Sequence, residues 1–156
     1  MRHSQFFLLI IGLLVLMGGV FTHDAYADLQ VFPDTSGVAT GAYTAIAING
    51  AGNPVIAYQL HDNGANGDLM VVACTTPDCA TFGTPVALDA PAVGLLGYYI
   101  DIAINGAGNP IISYHDFTVA GTALKVVACT APDCSTFNTP LILDNSGSSG
   151  FSTSIA

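Results

Sequence analysis

Glutamate is absent from this 156-residue chain, and basic side chains are nearly so: Arg2 and Lys125 stand alone against eleven aspartates, for a formal net charge of −9. A surface this acidic repels phosphate backbones, and binding to them needs Lys/Arg patches, so nucleic-acid recognition is excluded. The shortage of Glu, Lys and Leu relative to Gly, Thr, Asn and Asp also removes the usual material of helices. No stretch beyond the N-terminal apolar run repeats its hydrophobic residues at helical spacing. The fold class read from these absences is all-β.

Long apolar runs are scarce too, and the one present is short. Phe6 to Phe21 spans sixteen residues behind Arg2 and ends near Ala25-Tyr26-Ala27, whereas a membrane span needs about twenty. This is the pattern of a secretory signal peptide over residues 1–27, cleaved between Ala27 and Asp28. No cysteine lies near the run, which excludes a lipid-modified cysteine at the cut. The mature chain is expected to be secreted, periplasmic or on the extracellular surface, with no stable membrane span after cleavage.

What is present is a repeat. Ile46 to Pro54, Ile-Ala-Ile-Asn-Gly-Ala-Gly-Asn-Pro, returns letter for letter at Ile102 to Pro110, fifty-six residues later. Downstream the offset becomes fifty-five: Val71 to Thr75 matches Val126 to Thr130, and Pro77-Asp78-Cys79 matches Pro132-Asp133-Cys134. The one-residue slip falls between Tyr58 and Leu69, as a surface loop tolerates. Each repeat reads as four strands separated by turn residues. In the first copy these are A, Tyr43 to Ile48; B, Pro54 to about His61; C, Leu69 to Cys74, after an Asn66-Gly67 hairpin turn; and D, Pro85 to Asp89. In the second they are Tyr99 to Ile104, Pro110 to Asp116, Leu124 to Cys129 and Pro140 to Asp144. Blade-like units are thus expected at 43–97 and 98–149, after a D-type strand and linker at 28–42 and before the first strand of a further unit at 150–156. Within these flanks Gln30 to Asp34 aligns with strand D, and Ser152 to Ala156 with strand A.

The four cysteines form two pairs of identical spacing, Cys74 with Cys79 and Cys129 with Cys134. Four cysteines allow three connectivities, of which local pairing within each repeat is the simplest in an oxidising compartment. A four-thiolate zinc site is the rival, and its spacing does not fit.

Repeated four-stranded units of about fifty residues point to a β-propeller, whose blades close a ring of four to eight. Two full units cannot close one, so the chain reads as truncated, and further blades or self-association are expected to complete the ring. The pattern Ile-Ala-Ile-x-x-x-Gly-Asn-Pro-x-Ile-x-Tyr, followed by Leu-x-Val-Val-Ala-Cys, is similar to tandem repeats of secreted bacterial β-propeller proteins whose roles are mostly uncharacterised. Ile112-Ser113-Tyr114-His115-Asp116 keeps their Ile-Ser-Tyr-x-Asp pattern, while Ile56-Ala57-Tyr58-Gln59-Leu60 departs from it. The resemblance implies a fold and an extracellular address rather than a reaction. Trp is absent altogether, which removes the sialidase Asp-box ending in Trp and the Trp-Asp dipeptide of WD repeats.

Candidate ligand-binding residues follow from chemistry. Asp101 interrupts an inner strand where the other copies carry Ala45 and Ser154, so it needs a partner or a wet channel. His115 and Asp116 point to opposite faces of one strand and cannot act together on one atom; with His61 and Asp62 they are expected in a solvated loop or turn cap. Tyr58, Tyr98, Tyr99 and Tyr114 are suited to stacking on sugar rings, with core packing the competing role. Asp62, Asn66 and Asp68 offer oxygen ligands for calcium in a Gly-rich loop, although the loop does not fit an EF-hand and the second repeat lacks it. Asp34, Asp89 and Asp144 are expected to cap turns. No catalytic set emerges. The expected function is an exported binding module for a glycan or an extracellular protein, with a propeller-type glycan hydrolase or lyase, acting through two Asp from different blades, and a structural cell-surface repeat as alternatives.

Overall fold

A computed structural model describes residues 39–62, 66–118, 121–147 and 149–156. The described residues form eight strands and no helix: β1 Ala39–Ile48, β2 Pro54–Asp62, β3 Asn66–Ala73, β4 Val86–Asp89, β5 Gly94–Ile104, β6 Pro110–Thr118, β7 Gly121–Ala128 and β8 Leu141–Asp144. β1 to β4 pair in sequence as one antiparallel unit, and β5 to β8 as a second. A short parallel contact, Asn66 with Gly94 and Gly67 with Leu95, joins the two. The inserted residue falls between strands, since three residues separate β2 from β3 and two separate β6 from β7. Gln30 to Asp34 and the proposed cleavage site at Ala27 and Asp28 lie outside the described residues.

One expectation moves. Asn66 and Gly67 do not make the hairpin turn; they lie inside β3, opposite Asp62 and His61. Gly67 is needed there for a different reason, because a Cβ would stand 3.1 Å from Gln59 Nε2 and 3.2 Å from the Leu96 carbonyl oxygen. The first unit lets the second approach at that point.

The repeated Asn-Gly-Ala-Gly-Asn segment closes β1 onto β2 and β5 onto β6. The Asn49 side-chain oxygen accepts the Ala51 and Asn53 amides at 3.0 Å each, and Asn105 does the same for Ala107 and Asn109. These two turns also touch. A Cβ on Gly50 would lie 3.0 Å from the Gly108 Cα, so only glycine allows backbone to meet backbone there.

The core lies between the units. Alternation along each strand turns Val55, Ala57, Leu69, Val71, Ala73 and Leu88 of the first unit and Ile102, Ile112, Tyr114 and Val127 of the second into one buried cluster. Each large aliphatic among them contributes about 1.5–3 kcal/mol by leaving water. A smaller cluster, Tyr58, Met70 and Val72, sits apart from it in the first unit. Disulfides Cys74–Cys79 and Cys129–Cys134 each close a separation of five residues. In both, the second cysteine takes a positive φ, 56° and 57°, and its amide donates to a turn carbonyl at 3.0 Å. Cross-links this local hold a hairpin and contribute roughly 2 kcal/mol each on the chain-entropy view.

Candidate functional site

The first strands of the two units, β1 and β5, begin at the end opposite the Asn-Gly turns, and there the aromatic residues collect. Tyr43 of β1 lies 4.8 Å from Tyr98 and 5.5 Å from Tyr99, ring centre to ring centre. Tyr99 in turn meets Phe151 at 5.5 Å and His115 at 5.9 Å. The pairing of β5 with β6 shifts register on both sides of Tyr98, and Tyr99 takes φ 50°, a conformation unfavourable for a bulky side chain. Such a bulge re-aims side chains, and here it turns adjacent tyrosines toward one cluster. Tyr43, Tyr98 and Tyr99 are half-buried. Tyr58 and Tyr114, also suited to sugar stacking by type, are buried and present no free face.

His115 and Asp116 are not solvated: both are buried in β6, because the second unit continues β6 to Thr118. They do point apart. His115 joins the aromatic cluster, 4.5 Å from Phe151, and its Nε2 has no hydrogen-bond partner, nor does Ser113 Oγ two residues earlier on the same face. Burial pushes the His115 pKa below its ordinary value, against the opposing pull of Asp116.

Asp116 faces the joint between the units. Its carboxylate meets Lys125 Nζ at 2.7 Å and accepts the Thr118 amide at 2.9 Å. Lys125 also reaches Asp89 of the first unit at 3.0 Å, and the Tyr114 hydroxyl donates to the same Asp89 oxygen at 2.6 Å. Asp89 therefore ties β4 to β6 and β7 rather than capping a turn. Burial, the largest single influence, pulls the Lys125 pKa down, yet hydrogen bonds and charge from Asp116 and Asp89 outweigh it and hold the ammonium above its ordinary value. Burial and Asp89 together push the Tyr114 hydroxyl far up. One ammonium thus serves two carboxylates, one from each unit.

Asp101 finds its partner in the chain's last residues: its carboxylate accepts the Ile155 amide at 2.6 Å, beside a Thr153 hydroxyl bond to the Tyr99 carbonyl. Of the calcium candidates, the Asn66 side-chain oxygen accepts the Gly94 amide at 3.3 Å, Asp68 lies half-buried in β3, and Asp62 ends β2. No cluster of three or more His, Cys or Asp suited to a metal occurs among the described residues. Asp144 does cap its turn, accepting the Ser146 amide at 2.8 Å.

A groove of about 380 Å³ opens beside the aromatic cluster, lined by Ser113, Leu124, Val126, Leu143 and residues 150–155. Sequence reasoning gives no sign of it, because its walls come from three strands and a tail. The architecture defines an all-β protein of two stacked four-stranded units. No protein-family model, curated protein or solved structure matches the chain.

Proposed function

We propose that the chain is an exported repeat protein of β-propeller type that works as a binding module, meeting glycan ligands at the aromatic end of its inner strands. One observation carries the reading: the step from the first unit to the second is begun again after the second. Gly97 seats against the Asp68 carbonyl and Gln59, and Gly150 seats against the Ala123 carbonyl and His115, one repeat later in each case. The positive φ of Tyr99 recurs at Ser152, and that of Gly94 at Gly147. A step repeated in one sense turns stacked sheets into a ring, and the inner strands then present Tyr43, Tyr98 and Tyr99 along one rim.

Binding fits this surface better than catalysis, since the carboxylates brought together, Asp89 and Asp116, are both taken up by Lys125. Export is supported by the N-terminal apolar run and the two disulfides; no helix among the described residues is long and apolar enough to cross a membrane. The test is a glycan panel probed with the exported chain and with Tyr43→Ala and Tyr98→Ala. Binding that falls at least tenfold in both variants, with folding unchanged, supports the reading. An ordered protein that binds nothing on the panel, or binds equally after both substitutions, removes it.

A further inference from the structure

The aromatic end of the two units is poor in positive charge. Lys125 is the only lysine or arginine downstream of Ala27 in a chain of formal net charge −9, and its ammonium is held between Asp116 at 2.7 Å and Asp89 at 3.0 Å. His115 lies buried among Tyr99, Phe117 and Phe151. Burial pushes its pKa below the ordinary histidine value, so it is neutral at pH 7. Carboxylates, by contrast, border the rings. Gly97, the neighbour of Tyr98, seats against the backbone of Asp68, and Asp101 stands two residues beyond Tyr99 on β5, where its carboxylate meets an amide and not a cation. The rings add to the same sign. The face of a tyrosine ring is the negative part of its quadrupole, and Tyr43, Tyr98 and Tyr99 meet at 4.8–6.4 Å with 45–56° between their planes. Rings tilted in this way cannot hide every face against one another, and all three stay half-buried.

We propose that the glycan met at this end bears amino groups, a protonated sugar amine seating on the tyrosine faces near Asp68 and Asp101. The inference rests on the glycan reading above and adds to it the charge of the sugar. An ammonium is attracted by a ring face within about 6 Å of its centre. It also offers three donors and no acceptor, the complement of a border of carboxylates. The hexose ring that carries the amine supplies an apolar C–H face to stack on a neighbouring tyrosine. A uronate, sulfate or sialic acid reverses each of these terms, because it meets negative ring faces, carboxylates, and an ammonium already held by two aspartates. The net negative charge of the whole chain acts in the same direction, raising the local concentration of a polycation and speeding its encounter. A neutral sugar gains the stacking alone.

Calorimetry with oligomers of one sugar that differ only in charge decides it. The probes are glucosamine oligomers and N-acetylglucosamine oligomers of equal length, with oligogalacturonate as the anion and oligolysine as a cation that is not a sugar. They are titrated into the exported chain, and into Tyr43→Ala and Tyr98→Ala checked by their melting curves, at a pH below the pKa of the sugar amine. The comparison of sugars needs no variant. Glucosamine oligomers should bind at least tenfold more tightly than their N-acetylated counterparts, and oligogalacturonate should not bind. Raising salt from about 0.1 M to 1 M, which shortens the Debye length from roughly 10 Å to 3 Å, should weaken the glucosamine oligomers. Either tyrosine substitution should cost them at least tenfold, because the rings hold the sugar. N-acetylated or uronate oligomers that bind as tightly, and are lost in the tyrosine variants, overturn the inference and keep the glycan reading. Glucosamine binding that both variants retain, or oligolysine binding of equal strength, reduces the effect to attraction between opposite bulk charges and overturns the inference as well. Binding of no sugar removes both.

Discussion

At one place in the repeat the first unit carries Leu60 and Met70, and the second carries Asp116 and Lys125. The first pair packs with the cluster of Tyr58 and Val72. The second pair is an ion pair that reaches across the joint to Asp89. Identical backbones thus accept an apolar or an ionic filling, and the choice follows what lies opposite. A buried ion pair is no stronger than well-packed hydrophobes of the same volume. What Lys125 adds is a polar bond across the joint, to Asp89 of the first unit, beside its pairing with Asp116 in its own.

The largest effect should come from breaking that difference on one side. Lys125→Met, which copies the first unit's residue, leaves the carboxylates of Asp116 and Asp89 facing each other and should cost about 3 kcal/mol in denaturant unfolding. Adding Asp116→Leu completes the copy and should restore most of the loss. Next come the turns. Gly52 and Gly108 hold the same conformation, φ +82° and +83°, but a Cβ at Gly52 meets open space while one at Gly108 lies 3.1 Å from the Gly50 Cα. Gly52→Ala should cost about 1 kcal/mol for backbone strain alone, and Gly108→Ala about 2 kcal/mol or more, the difference measuring how tightly the turns meet.

Asp101→Ala restores the first unit's residue, Ala45, and removes the acceptor for the Ile155 amide. A loss of about 1 kcal/mol is expected, read as faster hydrogen exchange at Ile155. The smallest effect concerns His115, which stands where the first unit has Gln59. Because its pKa is lowered in the folded protein, the unfolded chain binds a proton that the folded one refuses. Its contribution is present above the ordinary histidine value and is lost as pH falls through the folded one. The groups around it are Asp116, Tyr99, Phe117 and Phe151. Stability should therefore decline as pH falls below about 6.5, and His115→Gln should flatten that part of the profile in melts taken across it.

The strands were legible because their signals are local: β-branched alternation, turn residues at fixed offsets, and a repeat that checks each reading against another. The disulfides were legible for the same reason, each closing within its own unit. Residues whose role depends on the neighbouring unit were not. Asp89 reads as a turn cap until β6 and β7 bring Tyr114 and Lys125 to it. Asn66-Gly67 reads as a turn until β5 passes against it. His115 reads as solvated because nothing in its own strand says that Phe151 covers it. The stacking of units is set by side chains that meet across 25 residues of chain or more, and no short window of sequence contains both partners.

The position of the half-buried Lys125 also makes the molecule its own unfolding reporter. Trypsin cuts after Lys and Arg, and this chain offers it only Arg2 and Lys125. Inside the described fold the single susceptible bond lies within β7, its side chain clamped by two carboxylates from two units. A protease cannot draw that strand into its cleft while the joint is closed. Digestion at this bond therefore counts openings of the inter-unit contact, one cut for each molecule that comes apart, against a background of almost no other cleavage.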